Sequence, residues 1–230
     1  MSTSQLATIS VIIPVLNEAE NLPKTLTAIP TAPNLEVIVV DGGSQDDTVS
    51  ITRRFGAQVI VSKPGRAYQM NVGAIAAQGE ILLFLHGDTR LPADFVWQVH
   101  QTLAQPGVAA GAFELTIDAG VTGLRWVEWG VRWRSRLLQL PYGDQAIFLK
   151  ARVFHGIGGF PELPIMEDFE LLRRLKRQGR IAIAPTAVIT SGRRWQKLGV
   201  LKTTLLNQLA IVAYLLGVSP TRIARWHRKQ

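Results

Sequence analysis

The sequence has no cysteine. Disulfides and thiolate metal sites are therefore excluded, any metal must be held by oxygen or imidazole, and a reducing cytosolic compartment agrees with the composition. The opening residues, Met1 to Thr8, lack the basic start and apolar stretch of a secretory signal, so export is not expected. Long uninterrupted apolar runs are also missing. Leu198 to Val218 is helical in period and strongly apolar, but Lys202, Asn207 and Gln208 interrupt it, which suits an interfacial or packed helix better than a membrane span. Internal repeats and low-complexity linkers are absent. Charge is sparse in the first half and of one sign in the second. Met1 to Leu115 carries 6 Lys/Arg against 10 Asp/Glu, a net −4, whereas Thr116 to Gln230 carries 19 against 7, a net +12. A basic half suits anionic lipid headgroups or phosphorylated ligands. Nucleic acid is not expected, because no helix-turn-helix, zinc-ligand pattern or RNA-binding aromatic signature accompanies the charge. Arg173, Arg174, Lys176, Arg177 and Arg180 read more simply as the solvated face of one helix.

What is present in the first half is alternation. Ile9 to Ile13, Val37 to Val40, Val59 to Val61 and Ile81 to Leu85 are short apolar runs bounded by turn residues, as buried parallel strands are. Helix-period stretches at Glu18 to Ala28, Asp46 to Phe55 and Gly65 to Ala77 separate them. Such repetition predicts an α/β fold with a doubly wound, mostly parallel sheet, whose ligands bind at the carboxyl ends of the strands. Asn17 and Glu18 follow the first strand, Asp41 ends the second, and His86 and Asp88 end the fourth, so these residues should converge on one crevice. In the second half, Ala109 to Ile117 and Ala146 to Leu149 read as strands, Pro164 to Gln178 as a loop entering a helix, and Ile181 to Ile183 as a last short strand. Val121 to Gln139 mixes Trp126, Trp129 and Trp133 with arginines, as an amphipathic helix does.

Several stretches carry chemistry. Asp41 precedes Gly42 and Gly43, which allow close backbone approach to a ligand, and its carboxylate can accept hydrogen bonds from a base or ribose. Asp46 and Asp47 read as helix-start residues. Asp88 ends a very apolar strand two residues after His86, where a carboxylate and an imidazole can grip a divalent cation that neutralises a diphosphate. Asp144, between Gly143 and Gln145, either faces an acceptor or merely turns the chain. A glycine-rich segment from Gly156, expected to be flexible, delivers Glu167 and Asp168 to a helix start, where one carboxylate can take a proton from an attacking hydroxyl. Arg193 and Arg194 suit phosphate oxygens, and the neighbouring Trp195 either stacks on a ring or packs.

Taken in order, from about Ser10 to Trp195, these pieces resemble family 2 of the glycosyltransferases, which has the A-type nucleotide-sugar fold. The resemblance implies that Pro14, Asn17, Glu18 and Asp41 contact the nucleotide, that Arg66 and Asn71 line the same pocket, and that Asp88 is the metal-binding end of an Asp-x-Asp element. His86 stands where that element has its first Asp. Asp168 matches the family's general base, and Arg193, Arg194 and Trp195 resemble its Gln-x-x-Arg-Trp segment without the Gln. Asp144, Gln145, Glu167 and Trp195 are then candidates for the acceptor side. The LHGDT, GDQAIF and SGRRW stretches look most like a small bacterial subgroup linked to arsenosugar biosynthesis.

The resulting expectation is an inverting, metal-assisted transfer of a sugar from a nucleotide-diphosphate donor to a small-molecule or lipid-like hydroxyl acceptor, with Mn2+ or Mg2+ as cofactor. The catalytic domain would span residues 1–195, divided into a nucleotide-binding half, 1–115, and an acceptor-binding half, 116–195, with a helical appendage at 196–230. A cytoplasmic protein is expected, attached peripherally to an anionic inner membrane face or paired as a homodimer through its apolar and basic helices. A nicotinamide dehydrogenase would need Gly-x-Gly-x-x-Gly where this chain has PVLNEAEN, and a nucleotidyltransferase would need a Gly-rich basic loop there. The remaining rival is a non-catalytic nucleotide-sugar-binding protein or membrane-surface scaffold of the same fold.

Overall fold

In the computed structural model, which describes residues 7–228, the first half alternates as its sequence predicts. Strands β1 (Ile9–Val15), β2 (Leu35–Asp41), β3 (Gln58–Val61) and β4 (Ile81–Phe84) are separated by α1 (Leu22–Thr27), α2 (Thr48–Arg54) and α3 (Arg66–Ala76). β1 pairs in parallel with β2 and β4, and β2 with β3. Ile9, Ile12, Ile13, Ile38, Val39, Leu82 and Leu83 are fully buried, which is why these strands read as continuous apolar runs. Pro14 lies within β1, yet Ile12 opposite Phe84 is the last pairing between β1 and β4, so the missing N–H falls beyond the ladder.

The second half adds β5 (Thr89–Arg90), α4 (Phe95–Leu103), β6 (Val108–Asp118), α5 (Leu124–Leu138), a 3-10 turn at Gly143–Gln145, β7 (Phe148–Lys150), α6 (Ala151–Gly156), α7 (Glu167–Leu175), β8 (Arg180–Ser191), α8 (Arg193–Leu198), α9 (Val200–Leu215) and α10 (Pro220–Arg228). All strands join one eight-stranded sheet in the order β3-β2-β1-β4-β7-β6-β8-β5. β7 runs antiparallel to both β4 and β6, and β5 antiparallel to β8. The sheet is therefore mixed, its purely parallel part ending at β4. β8 is far longer than the short strand expected at Ile181 to Ile183. Pro185 and Thr186 stop the apolar pattern, but they sit where the β6–β8 register jumps from Phe113–Ala184 to Glu114–Ala187, a bulge that tolerates proline.

Period-two burial in β1 splits the core into two layers. Val11, Ile13 and Val15 face α1 and α4, through Leu22, Leu26, Phe95, Val99 and Leu103. Ile12 faces α3, on the side where α6 and α7 also pack. The small face of α3 has a steric reason: a Cβ at Gly73 would come within 2.4 Å of Ile12 Cγ2, so only glycine permits this helix-to-sheet approach. A third, smaller cluster joins Met166 and Phe169 to Ala210 and Ile223, fastening α9 and α10 beside α7. The boundary expected between 195 and 196 falls inside α8.

Candidate active site

The site begins where β4 stops. His86, Gly87 and Asp88 form a turn closed by the Thr89 N–H to His86 O bond at 3.1 Å, and Ser191 N–H fixes Asp88 O from the end of β8 at 3.1 Å. Thr25 Oγ1 donates to Gly87 O at 2.9 Å, tying the turn to α1. Arg193 opens α8 directly opposite, 3.3 Å from Asp88 Oδ2, and also pairs with Glu18. Burial raises the Asp88 pKa, and the Glu18 charge adds to that rise, while Arg193 acts against both. His86 is pushed down to about 3 by burial and by the nearby Arg66 cation, so it is a neutral imidazole at any ordinary pH.

Across from this turn, α7 presents Asp168 in its first turn. The carboxylate accepts the Gly143 N–H at 2.8 Å on Oδ2 and the Phe169 N–H at 2.7 Å on Oδ1. Gly143 is wedged between the two sides of the site: a Cβ there would lie 3.1 Å from His86 Nε2 and 3.3 Å from Asp168 Oδ2. Next to it, Asp144 carries a buried Oδ1 with no hydrogen-bond partner, and burial pushes its pKa up to about 6, against the attraction of Arg134. Glu167 is buried against Arg66, 3.3 Å away, and burial again raises its pKa. Met166, with φ 69°, and Ala146, with φ 49°, flank these acids in the left-handed region, where neither residue type is at ease.

Together these groups line a cavity of about 340 Å³ that also receives Arg194, Trp195, Tyr142 and Thr190. One wall is α9, through Asn207, Ala210 and Ile211. The expected appendage is thus part of the site. Tyr142, Thr190 and Asn207 were not among the sequence candidates. Asn207 did leave a signal, as a polar residue interrupting an apolar helix, and that interruption is the face turned to the cavity.

Other candidates sit elsewhere. Asp41 is only 2% exposed. Its carboxylate accepts Gly43 N–H at 2.9 Å, Ser44 N–H at 3.0 Å and the Ser44 hydroxyl, and it does not line this cavity. Asn17 closes the facing loop, its Oδ1 accepting Gln45 N–H at 2.8 Å while its own N–H reaches Ser44 Oγ. Glu18 reaches the site through its pair with Arg193 and through its charge near Asp88, and Pro14 only as part of β1. Of the strand-end residues expected to converge, His86 and Asp88 line this cavity, where the helix-start Asp168 joins them, and Asn17, Glu18 and Asp41 do not line it. Asn71 does not line this cavity; its amide donates to Phe160 O at 2.8 Å and accepts Phe160 N–H at 2.9 Å. That clamp, with Phe160 packed edge-on against Phe84 at 4.8 Å, fastens the glycine-rich segment expected to be flexible. Gln145, expected on the acceptor side, does not line the cavity either. It is fully buried, donates to Phe113 O at 2.8 Å and accepts from Ser135 Oγ and Tyr142 N, so it builds the turn that presents Asp144.

Residues 10–160 match the family described as Glycosyl transferase family 2. The chain belongs to glycosyl transferase family 2. A family relative, Glycosyltransferase AglE of Haloferax volcanii, is 38% identical over 133 residues, which cover 52% of this chain and 44% of that protein. The chain thus spans less than half the length of that relative. The structure is similar to the mannosyltransferase PcManGT from Pyrobaculum calidifontis in complex with GDP-Man and Mn2+, with a TM-score of 0.66 at 23% identity over 81% of this chain and 57% of that one. It is also similar to glucosyl-3-phosphoglycerate synthase from Mycobacterium tuberculosis in complex with Mn2+, UDP and phosphoglyceric acid, with a TM-score of 0.65 at 22% identity over 92% and 79%. These likenesses establish the nucleotide-sugar transferase fold.

Among the described residues no group of three His, Asp or Glu side chains could by itself hold a metal ion. Mg2+ and Mn2+ in phosphate chemistry are commonly held by one or two carboxylates with the rest of the shell from phosphates and water. Asp88, a half-buried carboxylate with Arg193 against its Oδ2, fits that partial role, and His86 offers a neutral nitrogen beside it.

Proposed function

We propose that this family 2 glycosyltransferase moves a sugar from a nucleoside-diphosphate sugar to a hydroxyl acceptor in one displacement that inverts the anomeric centre. The observation that carries the reading is Asp168, aligned by two backbone N–H groups on the rim of a cavity whose other walls are Asp88, His86 and the Arg66, Arg193 and Arg194 guanidinium groups. Asp168 takes the proton as the acceptor oxygen forms its bond to the anomeric carbon. The bond to the diphosphate oxygen breaks, and its electron pair leaves with the nucleoside diphosphate. Arg193 and Arg194 stand where guanidinium donors can meet that growing charge. Asp88, with His86, would hold a Mn2+ or Mg2+ ion, which when bound neutralises the departing diphosphate. Asp144 stands on the cavity wall beside Asp168, towards the acceptor, and Trp195 and Tyr142 give sugar rings a flat surface.

The LHGDT and SGRRW stretches and the turn that begins GDQAIF meet in this cavity, and on them rests the proposed placement in the subgroup linked to arsenosugar biosynthesis. A binding protein without turnover is the second reading. It is favoured by His86 in place of an acid and by the missing three-ligand cluster among the described residues. Incubating the full chain with uridine- and guanosine-diphosphate sugars, with and without Mn2+, separates the two. Metal-stimulated release of nucleoside diphosphate that Asp168→Asn abolishes supports transfer, whereas binding without release from any donor supports the second reading.

A further inference from the structure

α5 and α9 each carry an apolar stripe turned away from the core. On α5, Trp126, Trp129 and Trp133 are 77%, 55% and 51% exposed and touch one another, with ring centroids 6.4 and 5.7 Å apart. On α9, Leu201, Leu205, Leu209, Val212 and Leu215 recur at helical spacing, Leu201 being 86% exposed. Of the seventeen large apolar side chains exposed among the described residues, eleven lie on these two helices or at the end of α9, so the exposure is concentrated and not scattered surface. The two helices start side by side: a Cβ at Gly123, just before α5, would lie 3.9 Å from Val200.

Charge identifies the occupant. After Glu170 the chain contains no acidic residue and thirteen Lys/Arg. Arg125, Arg132 and Arg136, at helical spacing, border the tryptophan stripe, and Lys202 borders the leucine stripe. Glu114 alone answers both Arg132 and Arg136, leaving that edge positive. A second copy would set like charge against like. An anionic bilayer supplies the opposite charge and a headgroup layer that suits indole rings. No helix among the described residues is long and apolar enough to cross a membrane, so the contact is one of lying on the surface.

We infer that the α5–α9 face seats the protein on an anionic lipid bilayer. The opposite side of α9, through Asn207, Ala210 and Ile211, lines the cavity, so one helix, about 10 Å across, separates the headgroups from the site. The docking stands on exposure and charge alone and holds or fails apart from the transferase reading. The test is flotation of the full chain with vesicles of phosphatidylcholine containing about 30% phosphatidylglycerol, or none, at about 50 mM and about 500 mM salt. Flotation with the anionic vesicles at low salt, weakened by high salt and by pure phosphatidylcholine, is expected. The triple variant Trp126→Ser, Trp129→Ser, Trp133→Ser should lower the bound fraction about tenfold with its melting temperature unchanged, and Leu205→Ser with Leu209→Ser should do the same on α9. Absence of flotation with either vesicle, or flotation unaltered in both variants, overturns the inference. So does a dimer in light scattering that the tryptophan variant converts to monomer, because the face then belongs to a second copy.

Discussion

Asp41 closes one buried parallel strand and Asp88 follows another, and both have glycine beside them, yet the fold uses them differently. The Asp41 oxygens are taken by Gly43 and Ser44 of its own turn. Asp88 has no such local backbone donors to its carboxylate apart from its own N–H; it faces Arg193 and the open cavity, with Thr89 Oγ1 at a distant 3.5 Å. Asp168 differs again, since its two N–H partners orient the carboxylate while it still lines the cavity. A carboxylate whose lone pairs are consumed by its own loop builds the loop, whereas one held at the rim of a cavity remains available for chemistry. Strand-end position alone does not separate the cases.

That contrast can be broken first at Asp168. Asp168→Asn should lower turnover by about 10²- to 10⁴-fold, the range of a lost general base, with the nucleotide-sugar dissociation constant little changed. Steady-state kinetics beside calorimetric donor titration check it. Asp88→Asn should weaken donor binding about tenfold or more when Mn2+ is present and much less when it is absent, read by the same titration. Equal weakening in both conditions would remove the metal role from Asp88.

Asp144 sharpens the comparison through pH. Its pKa rises from 3.8 to about 6 on folding. Below pH about 4 the carboxyl is protonated in both states; above about 6 it is charged in both, and the folded state carries the burial cost. Stability should therefore fall as pH rises through this window, by no more than about 3 kcal/mol. Urea titrations at pH 4 and pH 8 should show Asp144→Asn gaining on the parent at pH 8 relative to pH 4, and an identical difference at the two values would contradict the burial account. Smallest is Asp41→Ala, which should cost about 1–2 kcal/mol by stripping the Gly43 and Ser44 donors of their acceptor. The denaturant midpoint measures that loss.

The strand-helix repeat and the positions of Asp88 and Asp168 were legible because β-branched runs, glycine turns and helix-start acids are local signals. The length of β8 was not, since a bulge lets Pro185 sit inside a strand, and pattern alone reads proline as a stop. α4 went unread although Phe95, Val99 and Leu103 recur every fourth residue and are all buried. Asn71 and Gln145 are polar residues near chemistry in the chain, and only their hydrogen-bond partners reveal that they fasten Phe160 and the Asp144 turn. The α9 wall depends on a contact between α7 and α9 made across more than thirty residues of sequence, which no local pattern encodes.

The most direct test sets Asp41→Asn and Asp168→Asn side by side, measuring nucleoside-diphosphate release and thermal melting on the same preparations. Asp168→Asn should lose turnover while melting like the parent, and Asp41→Asn should melt earlier while keeping turnover at temperatures where it is folded. An active Asp168→Asn protein with parental melting would contradict the central role given to that carboxylate.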